Sequence, residues 1–394
     1  MTYPKLSLLA GQDRRLRAGH PWVYSNELKM DAAAKALEPG TPVQLANAAG
    51  KAMAVAQFNP HSLIAARVLS RNQDVTIDVA FLERRLGRAL RLRERLHDQP
   101  YYRLVHAEAD GLPGLVIDRF GGALVVQANS AGMDRLKPFL LDAIEQVLET
   151  DLVIFKNDSP ARTREGLELG VDVVKGEIDG PIQLLENGLT FFADPLNGQK
   201  TGWYFDQREN RAFATRLAKG ERVLDLFSYG GGFGITALAA GASEALAIDR
   251  SEGALALAKM AAEQNGVDDR LTLAREEGFA ALERLAGEKQ RFGLVVADPP
   301  SFVKSKRELK SGLKGYRKLA RAAASLVRPE GCLMIASCSH NVPIDQFRDE
   351  ARKGLSDAGR GGRLLHQSGA SADHPSHPML PESAYLKCLV YMLD

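Results

Sequence analysis

Arg222-Val-Leu-Asp225-Leu-Phe227-Ser228-Tyr229-Gly230-Gly231-Gly232-Phe233-Gly234 is the stretch on which the fold of this chain turns. A short apolar run that breaks into consecutive glycines is a buried strand entering a tight turn. Residues 235–240 are apolar and Ala-rich, which predicts a helix directly after the turn. Residues 245–248 predict a second strand, ending on Asp249. This is half of a nucleotide-binding α/β unit. Glycines at the strand-to-helix turn let the backbone approach a ligand, and a carboxylate ending the next strand is placed to accept both hydroxyls of a ribose.

The glycine spacing argues against a dinucleotide. Counted from Gly230, the G-x-G-x-x-G template needs a glycine at position 235, where the chain has Ile235 and offers Gly231 and Gly234 instead. Asp225 inside the first strand would also set negative charge against a pyrophosphate. A cationic ligand gains from that charge, and S-adenosylmethionine carries a sulfonium and an amino group with no phosphate. Candidate cofactor contacts are therefore Asp225, Phe227, Ser228, Gly230, Gly232, Asp249 and Ser251. The structural alternative is that Asp225 caps a backbone turn which the glycines merely make.

The second half of the unit agrees with the ligand reading. Leu294-Val-Val-Ala297 runs into Asp298-Pro-Pro-Ser301-Phe302, a carboxylate at the carboxyl edge of the sheet followed by a loop stiffened by two prolines. Residues 331–339 read as another buried strand with Cys338 at its far end. Asp298 and Cys338 are predicted to line one pocket, with Asp298 a candidate contact to the cofactor as well as to the base.

These segments, together with Asn197-Gly-Gln-Lys200-Thr201-Gly-Trp203-Tyr204-Phe-Asp206-Gln207-Arg208 and Ser337-Cys338-Ser339, resemble the bacterial methyltransferases that make 5-methylcytosine in large-subunit ribosomal RNA. The resemblance covers nearly the whole chain. It implies a class I methyltransferase domain with a Rossmann-like α/β sheet, preceded by a small PUA-like β-barrel and a small α+β domain. It also implies S-adenosyl-L-methionine as cofactor and ribosomal RNA of the large subunit as partner. Lys200, Thr201, Asp206, Gln207 and Arg208 would contact the cofactor or order a lid over it, although a helix N-cap accounts equally well for Asp206 alone. Glu277 would hold the adenine, with Glu276 as rival. Two positions depart from the family pattern, Gly231 for the usual Thr and His340 for Gly.

Methylation of cytosine carbon 5 needs a nucleophile, because that carbon is a weak one. Cys338 is placed for it and Asp298 would stabilise charge on the base; Ser301 stands where some RNA cytosine methyltransferases have a second cysteine. Guanine N-methylation on the same scaffold needs no nucleophile and is the rival chemistry; a non-catalytic RNA-binding factor is the rival class.

At 394 residues, with 45% hydrophobic and 25% charged residues, the chain is expected to form two or three globular domains. We divide it at 1–72 (PUA-like), 73–185 (a linker helix and central α+β domain) and 186–394 (methyltransferase). A net charge of +2 gives no bulk attraction to nucleic acid, so RNA contact must come from local clusters. One is Arg14-Arg15-Leu-Arg17, followed by His20-Pro-Trp22-Val-Tyr24; a solvated helix face with Trp22 in the core is the alternative. Another follows Asp298-Pro-Pro: Lys304, Lys306, Arg307, Lys310, Lys314, Arg317 and Lys318. The arginines of 78–98 read as an ion-paired, solvated face of an amphipathic helix. His374 reads as a turn-stabilising residue rather than an acid or base. Three cysteines without metal-ligand spacing suit a reducing cytoplasm, and no metal is expected. No run approaches membrane-spanning length, the N-terminus lacks the apolar core of a signal peptide, and a homodimer is left open.

Overall fold

A computed structural model describes residues 3–394. The chain forms two compact units, one of residues 3–180, Pro195–Gly202 and Asp373–Ser383, the other of Pro181–Asp194, Trp203–Ala372 and Ala384–Asp394. Among the described residues no helix is long and apolar enough to cross a membrane.

The second unit is built on a seven-stranded sheet. Its strands in chain order are β1 (Arg222–Leu226), β2 (Glu244–Asp249), β3 (Leu271–Arg275), β4 (Phe292–Ala297), β5 (Val327–Ser337), β6 (Gly362–Ser368) and β7 (Lys387–Leu393). Their spatial order is β3-β2-β1-β4-β5-β7-β6. β1 to β5 are mutually parallel, so all five release the chain at the same edge. β7 runs antiparallel between β5 and β6. Both faces of the central strands are covered, which is why β4, Phe-Gly-Leu-Val-Val-Ala, is an unbroken buried run rather than an alternating one.

The helices α1 (Gly232–Ala239), α2 (Glu252–Gln264), α3 (Gly278–Gly287), α4 (Leu309–Leu326) and α5 (Ile344–Asp357) flank this sheet. α4 buries Gly312, Tyr316, Leu319, Ala320, Ala323 and Ala324, three and four residues apart, as one stripe on the core. β6 carries no pattern that singles it out in the sequence. β6 is an edge strand with Leu364 and Leu365 exposed, so it lacks the buried side that makes a strand readable.

The first unit holds two five-stranded sheets. One joins Lys5–Ser7, Thr41–Ala46, Ala52–Phe58, Ala66–Ser70 and Trp22–Val23; the other joins Gly170–Lys175, Leu152–Asn157, Ala123–Ala128, Leu115–Phe120 and Tyr101–His106. The helix Val79–Leu96 starts at Asp78, whose carboxylate accepts from the Phe81 backbone N–H at 2.8 Å. Its arginine face is not uniformly solvated. Arg93 is fully buried and paired through both Nη atoms with Asp110, at 2.7 and 2.8 Å. His374 is buried with Nδ1 2.8 Å from the Asp373 carboxylate.

Gly312 connects the sheet to the loop after Asp298. A Cβ there would stand 2.2 Å from Val303 Cγ2 and 2.6 Å from the Phe302 carbonyl oxygen. Alanine improves helix propensity by about 1 kcal/mol, whereas overpacking costs ~1–3 kcal/mol. Gly312→Ala is therefore expected to lower the thermal midpoint in calorimetry. A raised midpoint would mean that the 302–303 backbone yields without cost.

Candidate active site

The parallel pairing brings Asp225, Asp249, Asp298 and Cys338 to one edge, because each lies at or just past the carboxyl end of its strand. Asp225 is buried in β1, and its Oδ2 accepts from the Gly234 backbone N–H at 2.9 Å. Burial first, then the charges of Asp298 and Asp249, push its carboxyl up to about 7 against the opposing Gly234 bond. Asp249 takes one backbone N–H on each oxygen, from Tyr229 at 2.9 Å and from Ser251 at 2.8 Å. An ionised carboxylate has about four lone-pair sites, so capacity for two ribose hydroxyls remains. Ser251 also caps α2 through its Oγ, 3.2 Å from the Ala254 N–H.

Between these acids the turn is drawn tight. Phe227, Tyr229 and Gly231 all take positive φ (61°, 49° and 72°), a conformation that non-glycine residues rarely adopt and that clusters at ligand sites. Ser228 Oγ is buried with no hydrogen-bond partner among the described residues. A Cβ at Gly230 would come 3.2 Å from the Trp203 ring, and one at Gly232 3.0 Å from Arg211 Cδ, so these glycines admit their own neighbours as well as any ligand. Trp203 and Arg211 are fixed from behind by buried Glu186, which accepts from Trp203 Nε1 at 3.0 Å and from Arg211 Nη2 at 2.9 Å. Gly278, opening α3, lets the Phe227 ring lie where a Cβ would meet Cζ at 2.4 Å. Glu277 caps that helix with its side chain 69% exposed and 3.8 Å from Arg250, while Glu276 is bound to Arg284 at 2.8 Å. Glu277 is thus the more open of the two rivals.

The other side of the edge is organised around Asp298 and Cys338. Gln207 Nε2 donates to Asp298 Oδ2 at 2.8 Å, and Gln207 Oε1 accepts from Asn210 Nδ2 at 2.5 Å. Ser368 Oγ then donates to Asn210 Oδ1 at 2.6 Å, so a buried chain of amides fixes the carboxyl plane. Asp206 accepts from Tyr385 OH at 2.5 Å. Cys338 directly follows β5 and is half-buried, whereas Cys332 and Cys388 are buried. Burial pushes the Cys388 thiol up to about 12 and raises that of Cys332 as well. The residues on either side of Cys338 are anchored: Ser337 Oγ donates to Tyr316 OH at 2.8 Å, and Ser339 Oγ lies 3.2 Å from that hydroxyl and 2.5 Å from Ser301 Oγ. Tyr204, a residue to which the sequence alone assigns no role, is raised by burial and then by Asp206, Asp298, Cys338 and Asp249. Its position among those groups marks Asp298 and Cys338 as occupants of one neighbourhood. The signal was its place in the Trp203-Tyr204-Phe run.

Lys200 and Thr201 belong to the first unit, where Thr201 is fully buried with its hydroxyl on Asp118. Arg208 stands 3.5 Å from Glu186. Arg15 pairs with Glu27 at 3.1 Å and Arg17 with Asp13 at 2.6 Å, while Arg14 is exposed. Trp22 Nε1 donates to Glu108 at 2.7 Å. Lys304, Lys306, Arg307, Lys310 and Lys314 are exposed and form no ion pair among the described residues. Arg317 is bound to Asp357 at 2.6 Å, and Lys318 lies over the Phe279 ring.

The family description "S-adenosylmethionine-dependent methyltransferase" matches residues 163–392, and "PUA-like domain" matches residues 6–71. The chain is 37% identical over 389 residues to ribosomal RNA large subunit methyltransferase I of Erwinia tasmaniensis, covering 97% of this chain and 98% of that one. It is 36% identical to the protein of the same name from Cronobacter sakazakii, with the same coverage. The chain belongs to the ribosomal RNA large subunit methyltransferase I family. Its fold agrees with that of a candidate SAM-dependent methyltransferase from Streptococcus mutans, at a TM-score of 0.83 and 21% identity over 99% of this chain and 100% of that one. A candidate methyltransferase complexed with SAH superposes at 0.84, with 20% identity and complete coverage of both chains. As a member of this family the protein is an S-adenosylmethionine-dependent methyltransferase, on the α/β sheet and behind the PUA-like domain that the sequence motifs imply.

The residues of the family member described here fit that cofactor. A strained glycine turn, the orphaned buried Ser228 hydroxyl and converging carboxylates suit a ligand with hydroxyls and positive charge.

Asp225 carries a pH signature. Its folded value of about 7 lies above the ordinary 3.8, so the folded state holds the proton more tightly than the unfolded one. Stability is present below the lower value and lost as pH rises through the higher. Asp225→Asn, neutral throughout, should gain on the wild type between about pH 5 and about pH 8, by on the order of 1–4 kcal/mol in urea melts of the ligand-free protein. A difference that does not change with pH would show an ionised Asp225.

Proposed function

We propose that the protein methylates carbon 5 of a cytosine in large-subunit ribosomal RNA, in the cytoplasm, through a transient bond between Cys338 and the base. The observation that carries this reading is a partly exposed cysteine, clamped on both sides, in the same neighbourhood as a carboxyl group of fixed orientation. A nitrogen of guanine attacks a methyl donor directly and has no use for a sulfur there. The names of the relatives support the RNA class.

In this reading the Cys338 thiolate adds to carbon 6, the 5,6 double bond opens, and its electron pair moves to carbon 5. S-adenosylmethionine, when bound, supplies the methyl group that carbon 5 takes up. Asp298, held by Gln207 and carrying a proton once the base is bound, donates a hydrogen bond to the pyrimidine ring and stabilises charge there. Loss of the carbon 5 proton to a base re-forms the double bond and expels the thiolate. Ser301 is tied to Ser339 and to the Val303 carbonyl, at 3.1 Å for the latter, so it serves to hold the loop. The target base must leave its stack to reach Cys338, which favours an unpaired or loosely paired nucleotide.

Exposed, unpaired Lys304, Lys306, Arg307, Lys310 and Lys314 follow the Asp298 loop and suit a phosphate backbone. They favour this segment over the N-terminal arginines, two of which are already ion-paired.

Cys338→Ala is expected to remove 5-methylcytosine formation completely, read by nucleoside mass spectrometry of ribosomal RNA from a deletion strain carrying the variant gene. Near-normal methylation by that variant, or a methylated guanosine restored by the wild-type gene, would sink this reading.

A further inference from the structure

Lys387 opens β7 opposite Ser337 of β5, one residue before Cys338. It is buried, a lysine in the otherwise apolar run Leu386-Lys387-Cys388-Leu389. Its Nζ donates to the Ser339 carbonyl at 2.6 Å and to the Tyr385 carbonyl at 2.9 Å. Among the described residues no carboxylate forms an ion pair with it. A buried ammonium held only by two neutral carbonyls is an unusual arrangement, since buried charges are ordinarily paired.

The Ser339 carbonyl to which it donates belongs to the residue that follows Cys338. Both carbonyls fasten it to the two chain segments that flank the edge, and Ser339 is the immediate neighbour of Cys338. We propose that Lys387 is a positioning residue for the Cys338 nucleophile: its ammonium is the counter-charge that keeps the sulfur as thiolate before substrate arrives. This deepens the covalent reading given above and rests on it.

The surrounding charges make such a partner necessary. Asp298 lies on the loop after β4, the charges of Asp206, Asp298, Cys338 and Asp249 all act on Tyr204, and Tyr316 of α4 also feels that of Cys338. Tyr385 and Cys388 stand on either side of Lys387 along the chain, with Tyr385 bonded to Asp206. Acids close to a thiol hold its proton on, and burial does the same. Lys387 is the cation set against them. Burial brings its own proton affinity down to about 8, while a charged Cys338 raises it, and the coupling is reciprocal. The thiol proton leaves to solvent, so the pair carries one negative and one positive charge near neutral pH.

The test uses the full chain without RNA or cofactor, so that its outcome is separate from the chemistry of methyl transfer. Alkylation of Cys338 by iodoacetamide, followed by peptide mass spectrometry across pH, should show a midpoint below the ordinary thiol value of about 8.5. In Lys387→Met the midpoint should rise by about one unit or more, with alkylation at neutral pH slowed about tenfold, and Lys387→Arg should keep most of the wild-type behaviour. Equal midpoints in wild type and Lys387→Met would overturn the proposal. Should Lys387→Met not fold, the thiolate absorbance difference between wild type and Cys338→Ser decides. A midpoint at or above about 8.5 overturns it, and one clearly below supports it. A depressed midpoint without 5-methylcytosine would remove the covalent reading and leave the ion pair. An ordinary midpoint with 5-methylcytosine present would remove the ion pair alone.

Discussion

Parallel pairing forces Asp225, Asp249 and Asp298 to one edge of a sheet, and their mutual repulsion is the constraint around which the site is built. Each acid meets it differently. Asp225 is buried and holds its proton, because burial outweighs the nearby Arg211. Asp249 spreads its charge over two backbone N–H groups. Asp298 accepts from a Gln207 amide. An edge arranged in this way has negative potential to offer. That is the environment in which a sulfonium and an amino group are welcome and a pyrophosphate is not.

The same edge presents the half-buried Cys338 beside those acids, between anchored neighbours. Ser337 and Ser339, on either side of Cys338, are tied to Tyr316 in the core stripe of α4. Ser339 is further tied to Ser301, which joins the loop after Asp298-Pro-Pro to the end of β5. α4 approaches that loop closely enough that Gly312 has no room for a side chain. Packing, loop geometry and placement of Cys338 are therefore one problem, solved by the contact between α4 and residues 301–303. Reactive geometry held by a rigid scaffold of this kind is what catalysis by orientation requires.

Much of this was legible from residues. Strands buried on both faces announce themselves as apolar runs, and the Asp or Cys that ends each run lands at the site by parallel topology alone. The glycine turn, Asp249, Asp298 and Cys338 were readable for that reason. What escaped has a common physical cause: polar residues that are buried by partners far away in sequence. Arg93 belongs by pattern to a solvated face, yet it is enclosed with Asp110. Thr201 sits in a polar segment that suggests ligand contact, but its hydroxyl goes to Asp118. Lys387 reads as part of a last strand, and only the register against Ser337 brings it beside Cys338. β6, exposed at the sheet margin, has too little buried surface to leave a periodic trace.

The central claim is that Cys338 bonds to the base, and capture of that bond tests it most directly. A cytosine fluorinated at carbon 5 has no proton there to lose, so the thiolate cannot be expelled after methylation. Incubated with S-adenosylmethionine and ribosomal RNA carrying 5-fluorocytidine, the protein should become covalently attached to RNA. Peptide mapping should find the nucleotide adduct on the segment containing Cys338. An adduct on another residue, or none while unfluorinated RNA is methylated normally, would contradict the account.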